Sequence, residues 1–150
     1  MNEISTAARN AAGQHFKNGY NCAESIVRTG ADLLGIQLDD QTLRTATGFG
    51  GGIGHAGCVC GALAASVMVI GLLKGRTSSE ESRDDAYNLS GEFHQRFQEK
   101  FGGTCCRILN PHPFETRDHM VNCVKITGNT MALLADFLQE KGVQTLIIKN

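Results

Sequence analysis

The stretch that most constrains the fold spans residues 48–75 and reads GFGGGIGHAGCVCGALAASVMVIGLLKG. Its first half is rich in glycine, so the backbone is free to adopt conformations that a Cβ atom forbids, and we expect an irregular loop there. From Cys60 to Leu73 almost every residue is apolar, which predicts a helix that is buried on all sides. Cys58 and Cys60 lie at the junction, with His55 just before them. The chain therefore places two thiols where a flexible loop meets a buried helix.

Helical periodicity and capping patterns extend over the rest of the chain. Apolar residues at helical spacing predict a first helix over residues 3–16. Asn21 and Glu24 form a capping box, so we expect a second helix with Cys22 in its first turn and its end near Gly35. The other predicted helices are a short one through residues 43–47 capped by Asp39 or Asp40, the buried helix at 60–73, one from a Ser78–Glu81 capping box to Gly102, a single turn at 104–109, and a last helix that contains Cys123 and ends at Gly142.

These elements predict an all-α fold, a single-domain helical bundle of five to six helices over residues 1–150 with a glycine-rich loop before a buried helix. Residues 143–148 are too isolated to form a sheet, and no internal repeat is present. A chain of 150 residues is long enough to bury about two-thirds of its unfolded surface as one domain.

Charge and hydropathy exclude several classes of partner. A net charge of −1 and a sequence pI near 6.5 give no electrostatic basis for binding nucleic acid or an anionic membrane. The longest apolar run, residues 62–73, is too short to cross a bilayer. The first ten residues have neither a basic stretch followed by an apolar segment nor twin arginines, so we expect a cytoplasmic protein.

The six cysteines are the candidates for function. In a cytoplasmic chain, metal binding or redox chemistry is expected more often than structural disulfides. Cys22, Cys60 and Cys106 each fall in the first turn of a predicted helix, where free amides and the helix dipole should lower the thiol pKa. Cys123 lies on the apolar face of the last helix. If these helix ends converge, four thiols meet beside backbone amides, which suits an iron–sulfur cluster or a reactive dithiol.

Plain burial is the alternative for any single cysteine, since free cysteine is among the most buried residue types. Two close pairs, Cys58 with Cys60 and Cys105 with Cys106, argue against all six being inert, although neither has the spacing of zinc ribbons or thioredoxin-like motifs. Three histidines lie near cysteines in the sequence, and we expect them to be exposed loop residues rather than ligands or proton donors. They are His55, His112 and His119.

The order of these motifs resembles the C_GCAxxG_C_C family of small redox-active proteins. The matching pieces are Asn21-Cys22-Ala23-Glu24, Cys60-Gly61-Ala62 continuing to Gly71, Phe101-Gly102 with Cys106-Arg107-Ile108-Leu109, and Cys123. The resemblance implies that the four recurrent cysteines of the family are Cys22, Cys60, Cys106 and Cys123. Ala65 replaces the last glycine of the family's Cys-Gly-Ala-x-x-Gly motif, and Cys58 and Cys105 are additional.

The resemblance also implies a redox role and a relationship to a multihaem cytochrome whose related domain holds an iron–sulfur centre. The chain lacks the Cys-x-x-Cys-His sequence that attaches haem, so that haem function is not implied here.

Three functions follow, and an oxidoreductase activity is an open question. The first is electron transfer or redox sensing by an iron–sulfur cluster on Cys22, Cys60, Cys106 and Cys123, with His55 nearby. The second is a metal-free thiol–disulfide oxidoreductase with Cys60 as the nucleophile and Cys58, Cys22 or Cys106 as the resolving thiol. The third is a structural zinc site. A redox partner protein is expected for the first two, and the small residues of the apolar helix allow a homodimer.

Overall fold

The computed structural model describes residues 1–149 and is all-helical, as predicted. Its helices are α1 (Glu3–Lys17), α2 (Cys22–Leu34), α3 (Asp40–Arg44), α4 (Gly50–Ile53), α5 (Gly61–Lys74), α6 (Asp84–Phe101), α7 (Cys106–Leu109) and α8 (Arg117–Glu140), with a 3₁₀ turn at Thr47–Phe49. Within residues 1–149, no β-strand forms, so the prediction that residues 143–148 make no sheet is confirmed. No helix in the same range is both long enough and apolar enough to cross a membrane.

The five long helices pack around one apolar core. Helix α8 lies along α1, α2 lies against α5, and α6 packs on α5 and α8. Phe93, Phe97 and Phe137 are fully buried at the α6–α8 contact, with the Phe93 and Phe137 ring centroids 5.5 Å apart. The core continues through the apolar faces of α1, α2 and α5 to Cys22 and Cys60. Cys22 and Cys60 are therefore part of the core that holds the bundle together.

Local sequence signals explain where α2 begins and ends. The Asn21 side chain accepts a hydrogen bond from the Glu24 amide at 2.9 Å, and the Glu24 carboxylate accepts one from the Asn21 amide at 3.0 Å. This capping box is the one predicted, and it satisfies amides that have no partner within the helix. Gly35 ends the helix in the left-handed conformation at φ 67°. Cys22 is consequently held at the first position of a well-capped helix.

Two predicted helix boundaries were wrong. The helix expected from Ser78 begins instead at Asp84, because the Glu81 carboxylate accepts hydrogen bonds from Thr77 rather than from the backbone of a Ser78 cap. Residues 75–85 are all exposed and have no apolar face to pack against the core, so helix formation there gains no tertiary support. The short third helix, capped by Asp39 as expected, ends at Arg44 before the 3₁₀ turn takes over.

Helix α5 is less buried than its composition predicts. Ala62, Ala65 and Val69 have no exposed surface, but Val67 is 37% exposed and Gly71 is also exposed. One side of the helix packs on α2, α6 and α8, and among residues 1–149 no element covers the exposed side with Val67 and Gly71. The expectation of burial on all sides was therefore wrong, since apolar composition does not specify how many neighbours a helix has.

Candidate functional site

The glycine-rich loop forms a compact set of turns that leads the chain towards the thiols. Gly51, Gly52, Gly54 and Gly57 have φ values between 55° and 89°, a region that favours glycine. A Cβ atom at Gly52 would lie 2.5 Å from the Cys58 nitrogen, and the Cys58 amide donates to the Gly52 carbonyl at 3.2 Å. The irregular loop is confirmed, and its glycines are what allow it to fold back closely on itself.

Cys22 is at the centre of the four-thiol group. A hydrogen bond with Cys123 and contacts with the amides of Gly51 and Ala23 outweigh burial and lower the pKa of the Cys22 thiol to about 7. The hydrogen bond with Cys22, together with burial, raises the pKa of Cys123. Cys22 and Cys123 thus form a thiolate–thiol pair in which Cys123 keeps the proton. The pKa of Cys22 is lowered in the predicted direction, but the largest cause is Cys123 rather than the amides of the helix start.

Cys60 and Cys106 behave differently although they also lie at helix starts. Burial raises the pKa of the Cys60 thiol to about 12 and outweighs hydrogen bonds from the Leu63 and Ala62 amides. Burial also raises the pKa of the Cys106 thiol, with a smaller contribution from charge on Cys22. The prediction of lowered pKa values was therefore wrong at these two positions, because the loss of hydration outweighs a few amide contacts.

Charge on Cys22 affects the pKa of each of the other three family-type thiols. Negative charge on Cys22 raises the pKa of each of Cys60, Cys106 and Cys123. A Cβ atom at Gly61 would lie 2.6 Å from the Cys22 sulfur and 2.6 Å from the Phe49 carbonyl oxygen. Gly61 therefore lets α5 approach the Cys22 thiol closely. The starts of α2 and α5 therefore lie close together, and a single site formed by all four thiols stays a prediction.

The two remaining cysteines form a disulfide. Cys58 and Cys105 are 47 residues apart in sequence, and their sulfurs are 2.07 Å apart. Backbone hydrogen bonds flank the bond on both sides, from the Cys60 amide to the Thr104 carbonyl at 2.8 Å and from the Arg107 amide to the Gly57 carbonyl at 3.0 Å. The loop before α5 and the loop before α7 are thereby joined. Spacing could not have identified this pair, because each cysteine has a closer sequence neighbour.

His119 is a site residue that the sequence interpretation missed. It lies in α8 rather than in a loop, is only 6% exposed, and is one helical turn before Cys123. Its Nδ1 is 3.0 Å from the His112 carbonyl oxygen, so Nδ1 carries the proton and Nε2 is the free atom in the neutral ring. The four-residue spacing from Cys123 was the available signal, since residues i and i+4 share a helix face. His112 is exposed as expected.

An aromatic cover lies over the Cys22–Cys123 pair. A cavity of about 180 Å³ is lined by both cysteines together with His55, Phe114 and His119. The His55 ring stacks on Phe114 with centroids 4.3 Å apart, and Phe114 also contacts His119 at 4.9 Å. His55 is exposed, as expected, but it is positioned at the mouth of the cavity rather than free in solvent. A small molecule that enters this cavity meets the Cys22 thiolate.

The residue types of the four-thiol group suit a metal cluster, but their side chains are not arranged as a metal site. Four thiols beside backbone amides are the donor set that iron–sulfur clusters use, so the residues fit such a group chemically. In the arrangement of residues 1–149, no three side chains of His, Cys, Asp or Glu are grouped so that they could hold a metal ion. Binding by all four thiols would therefore require side-chain rotation.

Comparison with known proteins places the chain in a family. The family model described as "Putative redox-active protein (C_GCAxxG_C_C)" matches residues 20–137, and the chain belongs to this family of redox-active proteins. A protein of Archaeoglobus fulgidus described as "Uncharacterized protein" is 26% identical over 130 residues, which are 81% of this chain and 86% of the relative. No solved structure matches the chain. The matched range spans all six cysteines of the chain.

Proposed function

We propose that Cys22, Cys60, Cys106 and Cys123 hold an iron–sulfur cluster, and that the protein acts in electron transfer or redox sensing. The observation that supports this is the position of Cys22, which lies against the start of α5 next to Cys60 and lines one cavity with Cys123. Cys22, Cys60 and Cys106 are also all buried. When bound, a cluster accepts and releases single electrons. The nuclearity and the redox partner protein are open.

The chain itself performs three tasks in this proposal. The thiols of the four cysteines provide the ligands, and the Gly51 and Ala23 amides stabilise negative charge on the Cys22 sulfur. Burial of Cys22, Cys60 and Cys106 keeps water away from the site. Gly61 leaves the space that Cys22 occupies.

The test is purification without oxygen followed by a visible absorption spectrum and assays of iron, sulfide and zinc on one sample. Brown protein with matched iron and sulfide is the expected result, and Cys60→Ser should abolish the absorbance. The control is Gly71→Ala, which changes an exposed position of α5 outside the ligand set and should keep the colour. Zinc without iron would support the structural zinc site instead. A spectrum that Cys60→Ser leaves unchanged would contradict the assignment.

A metal-free dithiol function is the second candidate, and the Cys22–Cys123 hydrogen bond favours it. A thiolate with a pKa about 7 next to a protonated thiol is suited to exchange. The Cys22 thiolate would attack a substrate disulfide and release one substrate thiol. Cys123 would then lose its proton and attack the Cys22 sulfur, which releases the second thiol and leaves a Cys22–Cys123 disulfide.

This assignment differs from the pair inferred from sequence. Cys60 has a pKa raised to about 12 by burial, and Cys58 is bonded to Cys105, so Cys22 with Cys123 is the better-supported pair. Metal-free protein that undergoes a reversible loss of two thiols at Cys22 and Cys123 would establish this candidate. A cytoplasmic location and a homodimer remain predictions.

A further inference from the structure

The Cys58–Cys105 disulfide lies outside the four-thiol group and in a different environment. Cys22, Cys60 and Cys106 are at most 8% exposed, whereas Cys58 and Cys105 are each half-buried. Neither half-buried cysteine belongs to the core cluster that includes Cys22 and Cys60. The two bonded cysteines are therefore more exposed to solvent than three of the four free cysteines.

The same disulfide is adjacent to two of the four thiols along the chain. Cys58 is two residues before Cys60, and Cys105 directly precedes Cys106. Only two backbone hydrogen bonds, Cys60 amide to Thr104 carbonyl and Arg107 amide to Gly57 carbonyl, otherwise connect the 57–60 loop with the 104–107 loop across this junction. Cleavage of the disulfide would leave those two bonds to hold the loops together.

We propose that Cys58 and Cys105 are a second redox site of this protein, a two-electron couple that exchanges with an external dithiol and controls the order of the loops carrying Cys60 and Cys106. A thiolate of the external dithiol attacks one sulfur of the Cys58–Cys105 bond, and the other cysteine leaves as a thiolate and takes up a proton. The second thiol of the reductant then resolves the mixed disulfide. The reductant becomes a disulfide, and the protein gains two electrons and two protons as two thiols.

The first experiment measures the thiol count of the full chain in mixtures of reduced and oxidised dithiothreitol. Acid-quenched samples are alkylated in denaturant, and the alkylated positions are assigned by fragment masses. We expect a reversible transition of two thiols at Cys58 and Cys105 under conditions in which the protein stays folded. Cys58→Ser/Cys105→Ser should abolish the transition, whereas Gly71→Ala, at the exposed end of α5, should retain it. A bond that is reduced only after unfolding would overturn the proposal, as would a transition that maps to other cysteines.

The second experiment measures amide hydrogen exchange in the oxidised and reduced forms. The Cys60 and Arg107 amides should exchange about tenfold faster after reduction, because the loops lose their covalent link. The Ser25 amide, which donates within the first turn of α2, is the internal control and should not change. If the Cys60 and Arg107 amides exchange at the same rate in both forms, the proposal that the disulfide controls the order of these loops is contradicted.

This couple does not require a bound cluster, so the two proposals fail separately. Protein that contains no iron or sulfide, but in which Cys58 and Cys105 still undergo the reversible two-thiol transition, would contradict the cluster alone. Protein that binds the cluster while Cys58 and Cys105 resist reduction in the folded state would contradict this inference alone.

Discussion

At the scale of single residues, the same thiol group has opposite properties at positions that look alike in sequence. Cys22 and Cys60 both lie at helix starts and are both buried, yet the pKa of Cys22 is lowered and that of Cys60 is raised. The difference comes from Cys123, which donates a hydrogen bond to Cys22 and has no equivalent at Cys60. A neighbour about a hundred residues away in sequence therefore determines which thiol is ionised.

The Cys22–Cys123 contact leads to a prediction about pH. The thiolate absorbance of Cys22 is obtained as the difference between the reduced, metal-free chain and Cys22→Ser. This absorbance should appear with a midpoint near pH 7, because the pKa of Cys22 is about 7. Cys123→Ala removes the donor that stabilises the thiolate, so the midpoint should move to higher pH. Ultraviolet absorbance measured against pH checks this.

The control for that titration is Cys106→Ala, since Cys106 makes no hydrogen bond that lowers the pKa of Cys22. The midpoint of the Cys22 titration in Cys106→Ala should stay close to that of the unmodified chain. A Cys123→Ala midpoint equal to that of the unmodified chain would contradict the role assigned to the hydrogen bond.

At the scale of elements, α5 combines two kinds of glycine. Gly61 begins the helix directly against the Cys22 sulfur and the Phe49 carbonyl, while Gly71 lies on the exposed side with no atom within 4 Å of an added Cβ. Both are small residues in an apolar helix, and sequence alone assigns them the same role. Close packing requires glycine at position 61, whereas at position 71 glycine only weakens the helix.

Substituting these two glycines should have opposite effects on stability. Gly61→Ala forces a methyl group into contacts of 2.6 Å, so we expect it to destabilise the fold by about 1–3 kcal/mol and to displace Cys22. Gly71→Ala meets no neighbour and should stabilise the fold by up to about 1 kcal/mol through helix propensity. Urea unfolding of the two matched variants measures both. A stabilising Gly61→Ala would show that α5 does not approach Cys22 as closely as described.

Helix α8 shows how one element supplies several site features. His119, Cys123 and Thr127 recur at four-residue intervals on one face. The Thr127 hydroxyl lowers the pKa of Cys123, in opposition to the larger effects of Cys22 and burial. The helical repeat thus brings an imidazole, a thiol and a hydroxyl to the same side of the bundle.

At the scale of the whole molecule, an ion-pair network joins α6 to the end of α8. Arg96 hydrogen-bonds to Glu92 at 2.9 Å and also to Glu140, and Lys141 lies 2.7 Å from the other Glu92 oxygen. Hydrogen bonds from Lys141 and Arg96 lower the pKa of the Glu92 carboxyl, and a hydrogen bond from Arg96 lowers that of Glu140. The network is on the surface, so its contribution should be modest and sensitive to salt.

The network predicts a pH-dependent difference in stability between the chain and Arg96→Met. A carboxyl whose pKa is lowered by folding contributes stability above its ordinary pKa and loses it as the pH falls through the lowered value. The difference between the two proteins should therefore be largest at neutral pH and shrink towards zero in acid. Thermal unfolding across this pH range at low salt measures it. Arg96→Lys, which keeps the charge, should lie between them, and a difference that grows in acid would contradict the assignment.

Much of the fold could be predicted because its signals are local. The Asn21–Glu24 capping box and the apolar periodicity of α1 and α8 involve residues within one or two helical turns. The start of α6 could not be predicted in this way, because the Ser78–Glu81 pattern is also compatible with an exposed turn. The grouping of Cys22, Cys60, Cys106 and Cys123 was inferred from helix starts together with family resemblance.

By itself, the sequence determined the helical class, the need for glycine before α5 and membership of the redox family, since these depend on local backbone preferences and on residue identity. Only the tertiary structure decided that Cys58 pairs with Cys105, that Cys22 rather than Cys60 carries the lowered pKa, and that His119 lies within the site. Bond pairing, desolvation and hydrogen bonding between helices depend on distances between residues far apart in the chain, which are established only when the helices pack.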